Sequence, residues 1–174
     1  MILDGFWKRD LMHLKQKLII CSMKFLLLPR DYAEHAISQC LLFSAAIIRK
    51  ITEDEDDAKK TINKHQMQMP PLSVLKITVP VTRYQHTDED KFFSNSRVFL
   101  DDYDLKNGRA DTMPLMQICN QIIHSYAWAV VHQGKRGIYG VLVASDREKE
   151  KDIILLTVSD WVNAIQEVID KANI

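Results

Sequence analysis

Six apolar residues near the start of the chain, Trp7, Leu11, Leu14, Leu18, Cys21 and Phe25, recur at alternating spacings of four and three. That is the period of one face of an α-helix, so the stripe predicts a helix over residues 5–28 whose apolar side must be buried. Lys8, Arg9, Lys15 and Lys17 fall mostly off the stripe, and Pro29, which cannot continue the ladder, ends it. A second stripe, Ala33, Ile37, Cys40, Leu41, Ser44, Ile48 and Ile51, predicts a helix over residues 31–52. Asp31 is its expected N-cap, with Glu34 completing a capping box. Leu28-Pro29-Arg30 is a short connection, which makes the pair an antiparallel helical hairpin. The small residues Ser44, Ala45 and Ala46 allow a neighbouring helix to approach closely.

Beyond residue 70 the period changes to two. Leu75, Ile77, Val79 and Val81 alternate with polar residues, as on a half-buried strand, and Pro80 on the polar side points to an edge strand. Residues 84–112 are polar and almost aperiodic, with a turn at Asn107-Gly108; so long a stretch is expected to be functional or mobile. After Pro114, Leu115, Met116, Ile118, Cys119, Ile122 and Ile123 predict a helix. Strands follow at Tyr126–His132, Ile138–Ala144 and Ile153–Val158, joined closely enough for an antiparallel meander. A last helix opens at Ser159 as N-cap and buries Trp161, Ile165, Val168, Ile169 and Ala172. The expected class is α+β: an N-terminal antiparallel helical hairpin, a small antiparallel sheet and a closing C-terminal helix. At 174 residues the chain suits a single domain over 1–174. Its helical part covers 1–65, an insertion carrying the edge strand covers 66–112, and helix, three-stranded meander and helix cover 113–174.

Composition narrows the function classes. The chain is 47% hydrophobic and 26% charged, a globular mixture, and its 23 basic residues balance 23 acidic ones. No global field therefore steers it to nucleic acid or anionic membrane. Cys21, Cys40 and Cys119 are odd in number and form no Cys-x-x-Cys pair, so neither a disulfide framework nor a zinc site is expected. Lys15, Lys17 and Lys24 interrupt the early apolar runs, and no small-residue cleavage site follows; a cytoplasmic protein with no membrane span is expected. The run Glu53–Asp57 reads as a solvated helix end, because consecutive carboxylates point around a helix and do not converge on a cation. Asp101, Asp102 and Asp104 lack the glycine and glutamate positions of a calcium loop. No cofactor and no metal are expected.

Asn120 and His124 stand four apart, on one face of the predicted helix, with Ile118, Ile122 and Ile123 anchoring the other side. Such a pair can bind a phosphate, position a water, or simply hydrogen-bond a neighbouring element. The segment Cys119-Asn120-Gln121-Ile122-Ile123-His124-Ser125-Tyr126 resembles the Asn-x-x-x-His portion of the motif of HEPN domains. That resemblance implies an α-helical bundle that cuts RNA, with Asn120 and His124 as catalytic residues lining a groove. The family motif begins with an arginine where this chain has Cys119, which removes the obvious phosphate donor.

Three functions follow. The first is a non-enzymatic interaction or oligomerisation module, binding a protein partner or itself, since Ile19, Ile20 and Met23 widen the apolar face of the first helix. The second is a HEPN-like ribonuclease, or a degenerate relative, acting on RNA through Asn120 and His124. The third is a small-molecule sensor binding between hairpin and sheet. The first is preferred, because the nucleophile elbow, P-loop, dinucleotide fingerprint and His-Glu-x-x-His signature are all missing.

Overall fold

The computed structural model describes residues 6–23, 28–64 (backbone alone for 54–64), 76–87, 100–134 and 137–171. In chain order the elements are α1 (Phe6–Met23), α2 (Arg30–Lys64), β1 (Thr78–Gln85), β2 (Arg109–Pro114), α3 (Leu115–Ile123), β3 (Ser125–His132), β4 (Ile138–Ser145), β5 (Asp152–Thr157) and α4 (Val158–Lys171). A 3-10 turn, Leu100–Asp102, precedes β2. The strands form one antiparallel sheet in the order β2-β1-β5-β4-β3. The α+β expectation is therefore right, with hairpin, antiparallel sheet and closing helix in place. The sheet is larger than the expected meander, because a β1–β2 hairpin adds to it beside β5.

Both helical stripes are buried as their spacing requires. On α1, Leu11, Leu18 and Cys21 are buried and Trp7 and Leu14 partly so; Phe25 lies outside the described residues. On α2, Ala33, Ile37, Cys40, Leu41, Ser44, Ile48 and Ile51 are all buried. This helix is longer than its stripe, running 35 residues to Lys64. Residues 53–64 contain no glycine or proline and set carboxylates four places before Lys59 and Lys60, a pattern that supports helix by itself. The start differs too. Helix begins at Arg30, the Ala33 amide bonds to the Pro29 carbonyl at 3.1 Å, and Glu34 is taken by Arg30 instead of by a cap.

The strand carrying Pro80 is not an edge. β1 lies between β2 and β5, and the reason proline is tolerated is local. β1 pairs with β5 only over Thr82–Gln85, so Pro80 stands beyond the registered ladder on that side. The polar stretch 84–112 hides a strand, β2, whose Arg109, Asp111 and Thr112 gave no alternating signal. Arg83 is the link between strands here: it bonds Asp111 of β2 at 2.6 Å and Asp152 of β5 at 2.8 Å. The Arg83 guanidinium, with the Thr112 amide, holds the Asp111 carboxyl below the usual carboxylate range. The stability this group adds is thus complete above the ordinary carboxylate pKa and is lost as pH falls through the lowered value.

Helices cover one face of the sheet. Val79, Val81, Val141, Val143, Ile154 and Leu156 meet α1, α2, α3 and α4 in one buried cluster. On the other face Leu142, Ala144, Ile153 and Leu155 pack under Leu100 and Tyr103, whose hydroxyl donates to the Lys149 carbonyl at 2.6 Å. At the centre of the helical side Trp161 is fully buried, and its indole N–H donates to Ser44 Oγ at 2.9 Å. The small residue expected to admit a close helix therefore also satisfies a buried donor. α4 opens two residues earlier than expected. Thr157, not Ser159, is the cap: its hydroxyl accepts the Asp160 amide at 3.0 Å and donates to the Asp160 carboxylate.

All three cysteines are free and buried, and burial pushes the Cys119 thiol up to about 12. Thiolate is the reactive form. Native protein is thus expected to resist a soluble thiol reagent, with three equivalents reacting in denaturant; fast native labelling at any one site would contradict the packing.

Candidate functional site

α3 is short, 9 residues, and its buried side is Leu115, Ile118, Cys119, Gln121 and Ile122. That fixes which residues face out. Asn120 and His124 are both exposed, one turn apart, and the His124 amide donates to the Asn120 carbonyl at 3.0 Å, closing the helix. The four-residue spacing of a helical face thus brings the two predicted site residues together. Gln121, between them, points the other way: it is buried, and its side-chain oxygen accepts the Ser145 amide where β3 leaves register with β4.

The structure adds two residues that the motif did not include. Arg49 of α2 reaches His124, with Nη1 at 3.3 Å from Nε2, and also donates from Nε to Glu53 at 2.8 Å. Arginine has no acceptor, so His124 Nε2 is the acceptor in this contact. His124 therefore hydrogen-bonds a neighbouring element, through the guanidinium of α2. The group on this face is thus a guanidinium shared between the Glu53 carboxylate and an imidazole, with an exposed carboxamide one turn away. As a general base the imidazole is poorly placed, since its Nε2 lone pair is already engaged.

A second cluster of the same composition lies at the other end of β3. His132 Nε2 is 3.0 Å from Glu34 and 3.2 Å from Arg30, which itself bonds Glu34 at 2.7 Å. Arg30, then His132, holds the Glu34 carboxyl below the usual range. Between the clusters Trp128 Nε1 donates to Ser38 Oγ at 3.1 Å. These contacts pair rising α2 numbers with falling β3 numbers, so α2 lies antiparallel along β3. The two histidines do not converge: Arg30 and Arg49 are about 28 Å apart along α2, at roughly 1.5 Å per residue. The available sequence signal was the twice-used Arg-x-x-x-Glu spacing, 30/34 and 49/53, which places each pair on one helix face.

Among the described residues no group of three or more His, Cys, Asp or Glu is placed to hold a metal ion, and no helix is long and apolar enough to cross a membrane. A shallow depression lies on α1 alone, lined by Lys8, Arg9, Met12, His13 and Gln16, away from the hairpin–sheet junction. No protein-family model matches the chain, and no curated protein or solved structure is detectably similar to it.

Proposed function

We propose that the chain is a non-enzymatic interaction module that associates through the outward faces of α1 and α2, with itself or with a protein partner. The observation that carries this is the distribution of exposed large apolar side chains. Of ten such residues described, seven lie on these two helices: Phe6, Met12, Ile20 and Met23 on α1, and Tyr32, Leu42 and Phe43 on α2. Single exposed apolar residues are ordinary, but a concentration on one pair of helices is the usual mark of an association surface. The test is sedimentation velocity over a range of concentrations. Wild-type protein should exceed the 20.2 kDa of one chain, and Leu42→Glu with Phe43→Glu should return it to that mass with an unchanged circular dichroism spectrum. Wild type that stays at one chain, and captures no protein through this face, ends the reading.

A second reading is favoured by the Arg49 contact. The HEPN-like segment lacks the family arginine at Cys119, yet Arg49 supplies a guanidinium to His124 from α2. A ribonuclease, or a degenerate relative, then uses Asn120, His124 and Arg49 on RNA. His124→Ala should abolish RNA cleavage with little change in melting temperature, because His124 is exposed and makes no core contact. Absence of cleavage by the wild type removes this reading.

A further inference from the structure

The two outer strands of the sheet are finished in different ways. β3 departs from register at Ser125/Ala127 and at Val131/His132, and α2 lies along it. Bulges and a covering helix are common protections for an edge. β2 has no further strand beside it among the described residues. An unprotected row of amides there is a template for another chain.

Ladder parity fixes where each β2 amide points. Leu115 N donates to Ile77 O at 2.9 Å, and Met113 with Val79, Asp111 with Val81 and Arg109 with Arg83 fall in the same alternation. These are the pairs that exchange bonds across an antiparallel ladder. The amide nitrogens of Ala110, Thr112 and Pro114 therefore turn away from β1, to the open side. Pro114 and, on β1, Pro80 both belong to this set, as residues without an N–H must. Of the outward positions on β2, Pro114 has no donor and Thr112 has already given its own: it bonds Asp111 Oδ1 at 2.8 Å. That carboxylate is itself held in place. Its Oδ2 accepts from Arg83 Nε at 2.6 Å, while Arg83 Nη1 bonds both oxygens of Asp152 at 3.0 and 2.8 Å.

We propose that Asp111 is an edge guard: its carboxylate occupies the Thr112 amide that the β2 strand of a second copy needs for pairing, and so keeps two sheets from joining. The excluded partner is an antiparallel copy of the same strand, since a two-fold axis sets β2 against itself and makes one continuous sheet. Alternate donors are the minimum for such addition. With Asp111 in place Ala110 is the outward donor left to offer. This inference is independent of what covers the α1–α2 face.

Amide exchange in the wild type tests it first. Ala110 and Thr112 both point outward, so Thr112 should exchange at least about tenfold more slowly, the factor expected of one charge-assisted hydrogen bond. Asp111→Ala should then introduce a concentration-dependent association step, seen by sedimentation velocity and absent from the wild type. Asp111→Asn, which keeps an oxygen over the amide, should behave as wild type. Asp111→Ala combined with Thr112→Pro deletes the released donor at a position already outside the ladder, and should abolish the added step. Equal exchange at the two amides overturns the proposal, as does a folded Asp111→Ala that gains no association or a double variant that retains it. If Asp111→Ala fails to fold, the wild-type exchange comparison still decides.

Discussion

Trp161→Ala is expected to lower the folding free energy by about 3–5 kcal/mol, the range for removing a large aromatic from a core. For a chain of this size that corresponds to a fall of roughly 6–20 °C in Tm. The reason is position. Trp161 is fully buried, at 0% accessibility, inside the one core cluster that the helices and the sheet share, so no single helix can relax into the gap. Part of the loss is polar. Ser44 Oγ bonds the Trp161 indole and returns its own proton to the Cys40 carbonyl at 2.6 Å. Ser44→Ala leaves the indole N–H buried and unpaired, which should cost about 1–3 kcal/mol while keeping the ring. Urea unfolding of the single and double variants measures both. Since Ser44 acts through Trp161, their losses should sum to more than the double variant shows; strict additivity would contradict the shared hydrogen bond.

Gly140→Ala is the second large effect, and it comes from crowding. A Cβ at Gly140 would lie 2.3 Å from the Leu156 carbonyl oxygen and 2.9 Å from Thr157 Cα, both backbone of β5. Nothing there can rotate aside. Overpacking ordinarily costs about 1–3 kcal/mol, and a backbone obstacle places this case at the upper end. Gly108 is the control. Its added Cβ would meet Tyr84 Cε1 at 2.5 Å and Thr82 Cγ2 at 2.6 Å, which are side-chain atoms able to swing away. Denaturation midpoints at constant m-value should therefore fall further for Gly140→Ala than for Gly108→Ala. The reverse order would mean that β4 and β5 are not packed as closely at Gly140 as described.

The sequence disclosed those parts of the fold in which burial alone sets the pattern. The stripes of α1 and α2, the apolar side of α3 and the β3–β4–β5 meander all follow from spacing, because each element has a side that must leave water. It failed where polar chemistry sets the geometry. β2 was illegible because Asp111 and Thr112 are held by a cross-strand ion pair with Arg83 and by a side-chain bond to the backbone, neither of which leaves a period. Pro80 misled for a related reason: its nitrogen turns towards the β5 side, and only the register reveals that the β1–β5 pairing stops at Thr82. At the site, the face shared by Asn120 and His124 was visible in their spacing. Arg49 was not, because it comes from a helix 75 residues earlier. The cap of α4 was missed by two residues, since Thr157 and Ser159 offer the same hydroxyl chemistry and only strand length decides between them.

The placement of β5 between β1 and β4 governs how this chain must assemble. Two hairpins, β1 with β2 and β3 with β4, can form from nearby residues, yet nothing joins them until Asp152–Thr157 slides in between. That closure encloses four elements, so it loses much loop entropy before it gains any contact. During synthesis the inner flanks of both hairpins wait unpaired while the last strand emerges. The arrival of β5 is therefore the step that turns two fragile halves into a single cooperative sheet, and the interval before it is when the protein is most open to misassembly.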